Sequence, residues 1–443
     1  MKMKALAAAL MLMLLASCTF VPLAANADLL TAPILSREQA QVSEALNRIL
    51  DISEIVYRYP QDGDHRSPII FFDMDGDGLD EALVFYAYTS APLELRLKIL
   101  AQTKPDEWDS LHDVSGSGDE ALFVTFAPIH ANSPESLLIG WRNTTHQQTR
   151  LGVYTMRERF EVDFLERIDT HIIHDFDGTG THDVLITQRV GDSHVLRLLS
   201  SRRGRLVEVA SEQLYRETTA VLQLLRGRLW GASTGVYIDQ RIDNSFYGTE
   251  VFRVDSSSLT PISAGNVARD TQMWTNYTTT FREENVLSVH LTSRDYVDVP
   301  RVESLPGSEQ RRGERRLPPL IRYMRLSENG FEVRGNAVIN PAGYLIFFPQ
   351  DWLEDVTLVE STENNEWSFR RFDHTTDRAA TELFRIRVHS TEDYLDPFTE
   401  DEFLLASRGV FRYYGLIPQI PEDEELAITR AQALNIFMLV DTD

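Results

Sequence analysis

The segment FFDMDGDGLDEALVFY, from Phe71 to Tyr86, constrains the fold of this chain more than any other stretch. It places five acidic side chains between two apolar and aromatic runs that are typical of β-strands. The five are Asp73, Asp75, Asp77, Asp80 and Glu81. Like charges this close together repel one another, so either water solvates them or a cation neutralises them. The segment therefore predicts a strand, a short acidic loop and a second strand.

The plan of this segment recurs further along the chain. In HDFDGTGTHDVLIT the corresponding positions are Asp175, Asp177, Thr179 and Asp183, and in FAPIHANSPESLLIGW they are Pro128, His130, Asn132 and Ser136. The three copies start at Asp73, Pro128 and Asp175, so they follow one another after 55 and 47 residues. We interpret SRDYVDVP, with Asp295 and Asp298, as a remnant of a further copy. Units of this length predict successive four-stranded sheets.

Around these loops the sequence predicts one helix and many short strands. Ser36 and Gln39 have capping-box spacing at the start of the amphipathic segment SREQAQVSEALNRILD, which predicts a helix. Between about Ser67 and Pro318, short runs separated by turn residues predict strands of roughly five to eight residues. They include LELRLKIL, SLLIGW, TRLGVYTM, HDVLITQRV, GVYIDQR and TEVFRV. The Pro-, Gly- and Arg-rich stretch 301–319 is predicted to be an exposed loop.

The C-terminal part has a different character. GYLIFFPQDW, VTLVE, EWSFRRF and ELFRIRVHS predict strands, and PEDEELAITRAQALNIFMLV predicts a helix that starts near Pro421. A proline followed by acidic residues suits a helix N-terminus. We therefore expect a small α+β domain over residues 332–443.

The N-terminus has the pattern of an export signal. Lys2 and Lys4 precede an apolar run that is too short to span a bilayer comfortably. The run ends in Leu-Ala-Ser-Cys, which resembles a bacterial lipobox and implies that residues 1–17 are removed and that Cys18 is lipidated. The alternative is cleavage after Ala25 or Ala27 with an incidental cysteine. Cys18 is the only cysteine of the chain, so no intramolecular disulfide can form.

The charge balance limits the partners. The chain has 43 Lys and Arg residues against 67 Asp and Glu residues, a formal net charge of −24. Nucleic acid is therefore an unexpected partner, because binding it requires a basic face. An acidic surface instead attracts cations.

The acidic loops have the chemistry of a calcium site. Calcium takes six to eight oxygen ligands, and a loop with oxygens at alternate positions and glycines at its turns can wrap around it. The predicted ligands are the side chains of Asp73, Asp75, Asp77, Glu81, Asp175, Asp177, Thr179 and Asp183 and the carbonyl groups of Leu79 and Thr181. The loop is not an EF-hand, because Val84 stands at position twelve and both flanks are strand-like. A solvated acidic turn is the alternative, and the copy at Pro128 should bind no metal.

The pattern D-x-D-G-D-G-x-x-[DE] followed by an apolar strand resembles the loops of FG-GAP and VCBS repeats. This resemblance implies a mainly β fold, an integrin-like β-propeller over residues 67–331. A tether and short helix in residues 18–66 would precede it, and the small α+β domain would follow. The order of elements also resembles VCBS-repeat lipoproteins of Gram-positive, clostridia-like bacteria. That resemblance implies a lipid anchor on the outer face of the cytoplasmic membrane.

The function expected from these features is a calcium-stabilised binding or scaffolding module without catalysis, with a protein or glycan ligand on the propeller face. An envelope-assembly protein fits the same features. The alternative is an extracellular glycan-active hydrolase or lyase, for which Asp351, Glu354 and Asp355 around Trp352 could supply carboxylates. Two other candidate sites are more simply explained as structural residues, the first as strand residues and the second as a connection between sheets. These are His171, His174 and His182 as transition-metal ligands, and the turn SGSGDE as a nucleophile site.

Overall fold

The computed structural model describes residues 36–50, 52–104, 107–231, 233–242, 246–262, 297–307, 320–361, 364–390, 401–421 and 424–439. Within these ranges the chain is mainly β and forms six antiparallel sheets that follow one another in sequence. Residues 1–35, and with them Cys18, lie outside the described residues, as does Asp295.

The first three sheets carry the acidic loop and its two relatives. The first contains β1 (Ile55–Tyr57), β2 (Ile69–Phe72), β3 (Glu81–Tyr88), β4 (Ala91–Lys104) and β5 (Glu107–Ser115), with β1 and β2 both paired to β3. The second contains β6 (Glu120–Ala127), β7 (Ser136–Asn143), β8 (Gln148–Met156) and β9 (Phe160–Ile168). The third contains β10 (Thr170–His174), β11 (Asp183–Val190), β12 (Ser193–Arg202) and β13 (Arg205–Gln213). In the second and third sheets each strand pairs with the next one along the chain.

The last three sheets are built in a similar way. The fourth contains β14 (Thr218–Arg228), β15 (Thr234–Ile242), β16 (Phe246–Asp255) and β17 (Ser258–Pro261). The fifth contains β18 (Asp298–Glu303), β19 (Leu320–Ser327), β20 (Gly330–Asn340), β21 (Tyr344–Phe347) and the C-terminal β27 (Phe437–Leu439). The sixth contains β22 (Val356–Ser361), β23 (Glu366–Asp373), β24 (Arg378–Ser390), β25 (Glu402–Arg408) and β26 (Phe411–Leu416), with β26 between β24 and β25. The predicted strand segments lie in strands with two exceptions. HDVLITQRV begins one residue before β11, and GYLIFFPQDW is a strand only over Tyr344–Phe347 and ends in a short 3₁₀-helix, Gln350–Trp352.

The sheets pack face to face in the order of the chain. Leu83 and Phe85 of β3 belong to the core between the first and second sheets, whereas Ala82 and Val84 on the opposite face pack against the N-terminal helix. Further apolar cores join the second sheet to the third, the third to the fourth, the fourth to the fifth and the fifth to the sixth. Both faces of such strands are buried, which explains why EALVFY and SLLIGW are almost continuously apolar.

The N-terminal helix α1 (Arg37–Ile49) begins at the predicted capping box. The Ser36 hydroxyl accepts a hydrogen bond from the N–H of Gln39, and the Gln39 side chain accepts one from the N–H of Ser36. Val42, Ala45 and Leu46 of this helix are fully buried against the first sheet. The helix therefore covers the face of the first sheet that points away from the second.

The predicted C-terminal helix is wrong in its start and in its end, because Phe437–Leu439 forms β27 and pairs with β21. Helix α2 spans Arg430–Ile436, and its N-cap is Thr429, which forms a capping box with Gln432. Pro421 and the described residues 424–429 precede the helix. The local capping box, and not the proline with its acidic neighbours, sets the helix start. The predicted domain boundary between residues 331 and 332 falls inside β20. The sheet that contains β20 includes β18 and β19 from before this boundary and β21 and β27 from after it.

No described helix has both the length and the apolar composition needed to cross a bilayer.

Candidate metal centre

The first acidic loop joins β2 to β3 and is closed by the facing pair Phe72 and Glu81. Within the loop, the N–H of Gly76 donates to Asp73 Oδ1 at 2.7 Å, and the N–H of Gly78 donates to Asp73 Oδ2 at 3.0 Å. Gly76 and Gly78 have φ values of +80° and +90°, which a residue with a Cβ adopts only with strain. The glycines of the motif thus allow the chain to curl around the Asp73 carboxylate.

Three carboxylates of this loop converge. One oxygen each from Asp73, Asp75 and Glu81 lies within 4.8 Å of the other two, and the described residues form no other such group of three. Calcium binds oxygen at about 2.3–2.6 Å, so two ligands of one ion lie no more than about 5 Å apart. The spacing of the three oxygens is therefore compatible with the coordination sphere of a single calcium ion.

Glu81 is the buried member of the group. Glu81 is the first residue of β3 and is only 3% exposed. Its Oε2 accepts a hydrogen bond from the N–H of Met74 at 2.8 Å. Burial raises the pKa of Glu81 to about 7; the Met74 N–H opposes the rise, and the charges of the three loop aspartates add to it. Burial makes ionisation of a carboxylate unfavourable, and a bound cation stabilises the ionised form.

The other predicted positions of the first loop are arranged differently. Asp77 does not belong to the group of three, and its Oδ1 accepts a hydrogen bond from the N–H of Leu79 at 2.8 Å. Leu79 is half exposed, and Asp80 is exposed. The structure therefore brings together Asp73, Asp75 and Glu81, and leaves the side chain of Asp77 in a local turn.

The second acidic loop joins β10 to β11 and is closed by the facing pair His174 and Asp183. Asp175 holds the loop as Asp73 does, because Oδ1 accepts from the N–H of Thr179 and Oδ2 from the N–H of Gly180. Thr179 and Thr181 contact each other through their hydroxyl groups at 3.0 Å. This loop thus repeats the backbone plan of the first.

The carboxylates of the second acidic loop converge less closely than those of the first. Asp175, Asp177 and Asp183 do not form a group within 4.8 Å. Asp183 is nevertheless buried, and its Oδ2 has no hydrogen-bond partner among the described residues. Burial raises the pKa of Asp183; the Ser200 hydroxyl and the N–H of Phe176 oppose the rise, and the charges of Asp177 and Asp175 add to it. A buried carboxylate oxygen without a partner suits a cation ligand.

The third loop joins β6 to β7 and replaces charge with a hydrogen-bonded network. His130 Nδ1 lies 2.8 Å from Ser201 Oγ, and His130 Nε2 lies 2.8 Å from Asp163 Oδ2. The Thr155 hydroxyl also donates to Asp163, and it contacts Ser136 Oγ at 2.9 Å. The positions equivalent to Asp75 and Glu81 are therefore occupied by His130 and Ser136, whose polar atoms are satisfied by protein groups. No sequence pattern indicated that Asp163, Thr155 and Ser201 would meet the third loop, because these residues come from other strands.

The three loops have equal length and lie at the same place in consecutive sheets. Each has eight residues between its closing pair, which is Ala127 and Ser136 in the third loop. The loops also contact one another. The N–H of His182 donates to the carbonyl of Pro128 at 2.8 Å, and a Cβ on Gly76 would lie 3.2 Å from Pro134 Cγ. The three loops thus form one edge of the molecule.

The remaining candidate sites have structural roles. His171 and His174 lie in β10, and His171 stacks on Phe123 at 4.5 Å, where burial lowers its pKa to about 4. Trp352 is buried and donates to the carbonyl of Leu426, while Glu354 is exposed. These arrangements agree with strand residues and with a packed tryptophan in a turn.

Two further segments contribute no ligands. Asp298 opens β18 and forms a buried, two-pronged ion pair with Arg325, with atoms 2.7 and 2.9 Å apart. The turn SGSGDE connects the first sheet to the second. It is tightly packed, because a Cβ on Gly118 would lie 2.2 Å from the carbonyl oxygen of Arg142.

Comparison with models of known protein families and with curated protein sequences gave no match for this chain.

Proposed function

We propose that this chain is a lipid-anchored, extracytoplasmic β-propeller of the FG-GAP/VCBS type that binds calcium and serves as a binding or scaffolding module. The observation that carries the proposal is the convergence of Asp73, Asp75 and Glu81 in the loop between β2 and β3 of the first sheet. The same loop position recurs in the next two sheets, as expected for a repeat fold.

A propeller is the architecture that best accommodates six small antiparallel sheets in series. Each sheet of a propeller has four strands paired in chain order, and each packs face to face on the next. The second, third and fourth sheets have four strands paired in chain order, and consecutive sheets share apolar cores, which supports this plan. Six blades around one axis in a crystal structure of the protein would support the proposal, and an open row of sheets would contradict it.

Calcium has a stabilising role in this proposal. The third loop has the same length and position without acidic ligands, so the repeat does not need a metal to form its strands. In the first loop, calcium would neutralise three carboxylates that otherwise repel one another. In the second, Thr179 replaces one aspartate, so weaker binding is expected.

Calorimetry tests the metal. We expect the melting temperature of the purified protein to rise when calcium is added after treatment with a chelator, because a ligand that binds the folded state stabilises it. An unchanged melting temperature, together with no heat of binding in a titration with calcium, would overturn the calcium proposal.

The anchor is tested independently. Cells fed an alkyne-tagged fatty acid should label the wild-type protein, and the Cys18→Ala variant should remain unlabelled. Labelling of the variant, or absence of labelling in the wild type, would argue against lipidation at Cys18. Neither result depends on whether calcium binds.

A further inference from the structure

Three hairpin turns of consecutive sheets lie side by side. They join β8 to β9, β12 to β13 and β16 to β17, the last two strands of the second, third and fourth sheets. The Arg157 guanidinium in the first turn donates to the carbonyl of Gly204 in the second at 2.7 Å. The Arg202 guanidinium donates to the carbonyl of Ser256 in the third turn at 3.3 Å. The three turns therefore form one continuous surface.

The middle turn concentrates positive charge in an acidic protein. Residues 202–205 have the sequence Arg-Arg-Gly-Arg, and we call them the arginine turn. Arg202, Arg203 and Arg205 are all exposed, and none of them forms an ion pair with a residue that the structure describes. The chain as a whole carries −24, so three unpaired cations at one turn form a local surface of opposite sign.

The two neighbouring turns do not neutralise the arginine turn. Their charged side chains either form ion pairs with each other or balance in number. The ion pairs are Arg157 with Glu161 at 2.5 Å and Arg253 with Asp255 at 3.5 Å. Glu158 and Arg159, both exposed, have opposite charges. The excess positive charge of this surface therefore belongs to the arginine turn.

The arginine turn departs from two preferences of β-hairpins. Arg203 and Gly204 have φ values of +56° and +73°, and Asn, Asp or Gly normally occupies the first position of such a two-residue turn. A long side chain at positive φ is strained. Arg202 faces Arg205 as the closing pair, and like charges directly opposite each other destabilise a hairpin. Residues that reduce local stability in this way are typical of functional sites.

The arginines select an anionic ligand. A guanidinium group can donate two parallel hydrogen bonds to one carboxylate, sulfate or phosphate group. The strands of each sheet alternate in direction, so the arginine turn lies at the same edge as the second acidic loop. The Ser200 hydroxyl, close to this turn in β12, donates to Asp183 of that loop. The ligand must therefore reach the arginines without covering the acidic loop.

This requirement favours a narrow chain. A broad anionic surface such as a membrane would meet the acidic loop together with the arginine turn and be repelled. A nucleic acid strand is held largely by stacking of its bases on aromatic side chains. None of the three turns, all of whose residues are described, carries an exposed aromatic side chain. A linear glycan with repeated acidic groups fits this surface best.

We propose that the arginine turn binds an acidic glycan, with carboxylate or sulfate groups of the sugars bonded to Arg203 and Arg205. The inference rests on the proposed function as a binding module and names its ligand class. Acidic groups recur along such a glycan, so one chain engages several arginines at once. The contacts are exposed charges, and salt should therefore weaken them.

Titration calorimetry with hexagalacturonate and with a heparin hexasaccharide tests this site. Both titrations are made at low ionic strength in the presence of a chelator, so that calcium cannot bridge the glycan to the acidic loops. We expect at least one glycan to bind the wild-type protein with a Kd below about 1 mM. The affinity should fall at least roughly tenfold in about 0.5 M salt. Fully methyl-esterified hexagalacturonate, which lacks the charges, should not bind.

Arg203→Gly separates binding from stability. Glycine adopts positive φ without strain, so this variant should melt at or above the wild-type temperature and still bind the glycan about threefold more weakly. Arg205→Ala should weaken binding by a similar factor, and the double variant by roughly tenfold. Arg167→Ala is the matched control, because Arg167 is exposed near the other end of β9. It should bind the glycan as the wild type does.

Absence of binding by both acidic glycans would overturn the inference, and so would unchanged affinity in the double variant. Tighter binding of single-stranded DNA or of phosphatidylglycerol vesicles than of either glycan would reject a glycan as the ligand. Calcium titration separates these results from the proposed metal site. If calcium binds and the glycans do not, only the arginine turn is rejected. If a glycan binds and calcium does not, only the calcium proposal fails.

Discussion

The carboxylate of Glu81 accepts a hydrogen bond from the backbone N–H of Met74 across the acidic loop, at 2.8 Å. This bond fixes the ninth position of the loop to its second position. Met74 is itself fully buried in the core between the first and second sheets. The first acidic loop is therefore attached to the packing of two sheets. If calcium binds there as proposed, we expect it to stabilise the protein beyond the loop.

Asp75→Asn should weaken calcium binding at the first loop, because it removes a charged oxygen from the group of three. We expect a loss of at least tenfold in affinity, about 1.4 kcal/mol, and a smaller rise of the melting temperature on calcium addition. Asp80→Asn is the control, since Asp80 is exposed and lies outside the group. Equal calcium affinity in the two variants would contradict the assignment of Asp75 as a ligand.

Asp177→Asn should affect a second, weaker calcium site. Titration of the wild type is expected to show two binding events of different affinity, and the variant should keep only the tighter one. Asp192→Asn, in the exposed turn after β11, should keep both. A wild type with a single binding event, unchanged in Asp177→Asn, would show that the second loop binds no calcium.

Without calcium, the protein should lose stability as the pH rises through the range in which Glu81 ionises. The pKa of Glu81 is raised from 4.5 to about 7 in the folded state, so ionisation between these values disfavours folding. In a chelator, the free energy of unfolding of the wild type relative to Glu81→Gln should fall by about 1–2 kcal/mol from pH 5 to pH 8, after allowance for solvent screening. Chemical denaturation at both pH values measures it, and a pH-independent difference would contradict the raised pKa.

His130→Ala should destabilise the protein equally with and without calcium. The substitution removes one hydrogen-bond partner each from Asp163 and Ser201 in a buried network, at a cost of about 1–3 kcal/mol. His146→Ala is a suitable control, because His146 is exposed. A destabilisation that appears only in calcium would show instead that the third loop binds the metal.

Gly118→Ala should destabilise the junction between the first and second sheets. The added Cβ would lie 2.2 Å from the carbonyl oxygen of Arg142, so the backbone must shift, at a cost of about 1–3 kcal/mol. Ser117→Ala, one residue earlier, should change the free energy of unfolding by less than about 0.5 kcal/mol. Equal unfolding midpoints for the two variants would contradict the close packing of this turn.

The sequence alone determined much of the local structure. The capping box of Ser36 and Gln39 marked the start of α1, and the offset between Asp73 and Glu81 marked the loop between two strands, because both signals depend on residues close together in the chain. The gap-free alignment of Pro128 with Asp73 and Asp175 also located a loop of equal length without acidic ligands. The start of α2 was missed, because the capping box at Thr429 lies inside a segment whose proline and acidic residues are a competing helix-start pattern.

Only the tertiary structure decided which side chains meet. Asp75 and Asp77 are equivalent candidate ligands in the sequence pattern, but the fold places Asp75 with Glu81 and directs Asp77 to the N–H of Leu79. Likewise, His130 gained its partners Asp163 and Ser201 from β9 and β12. Short-range patterns fix turns and strands, because their hydrogen bonds join neighbouring residues. Burial, charge and the contacts between sheets depend on residues far apart in the chain, so no local pattern of residues encodes them.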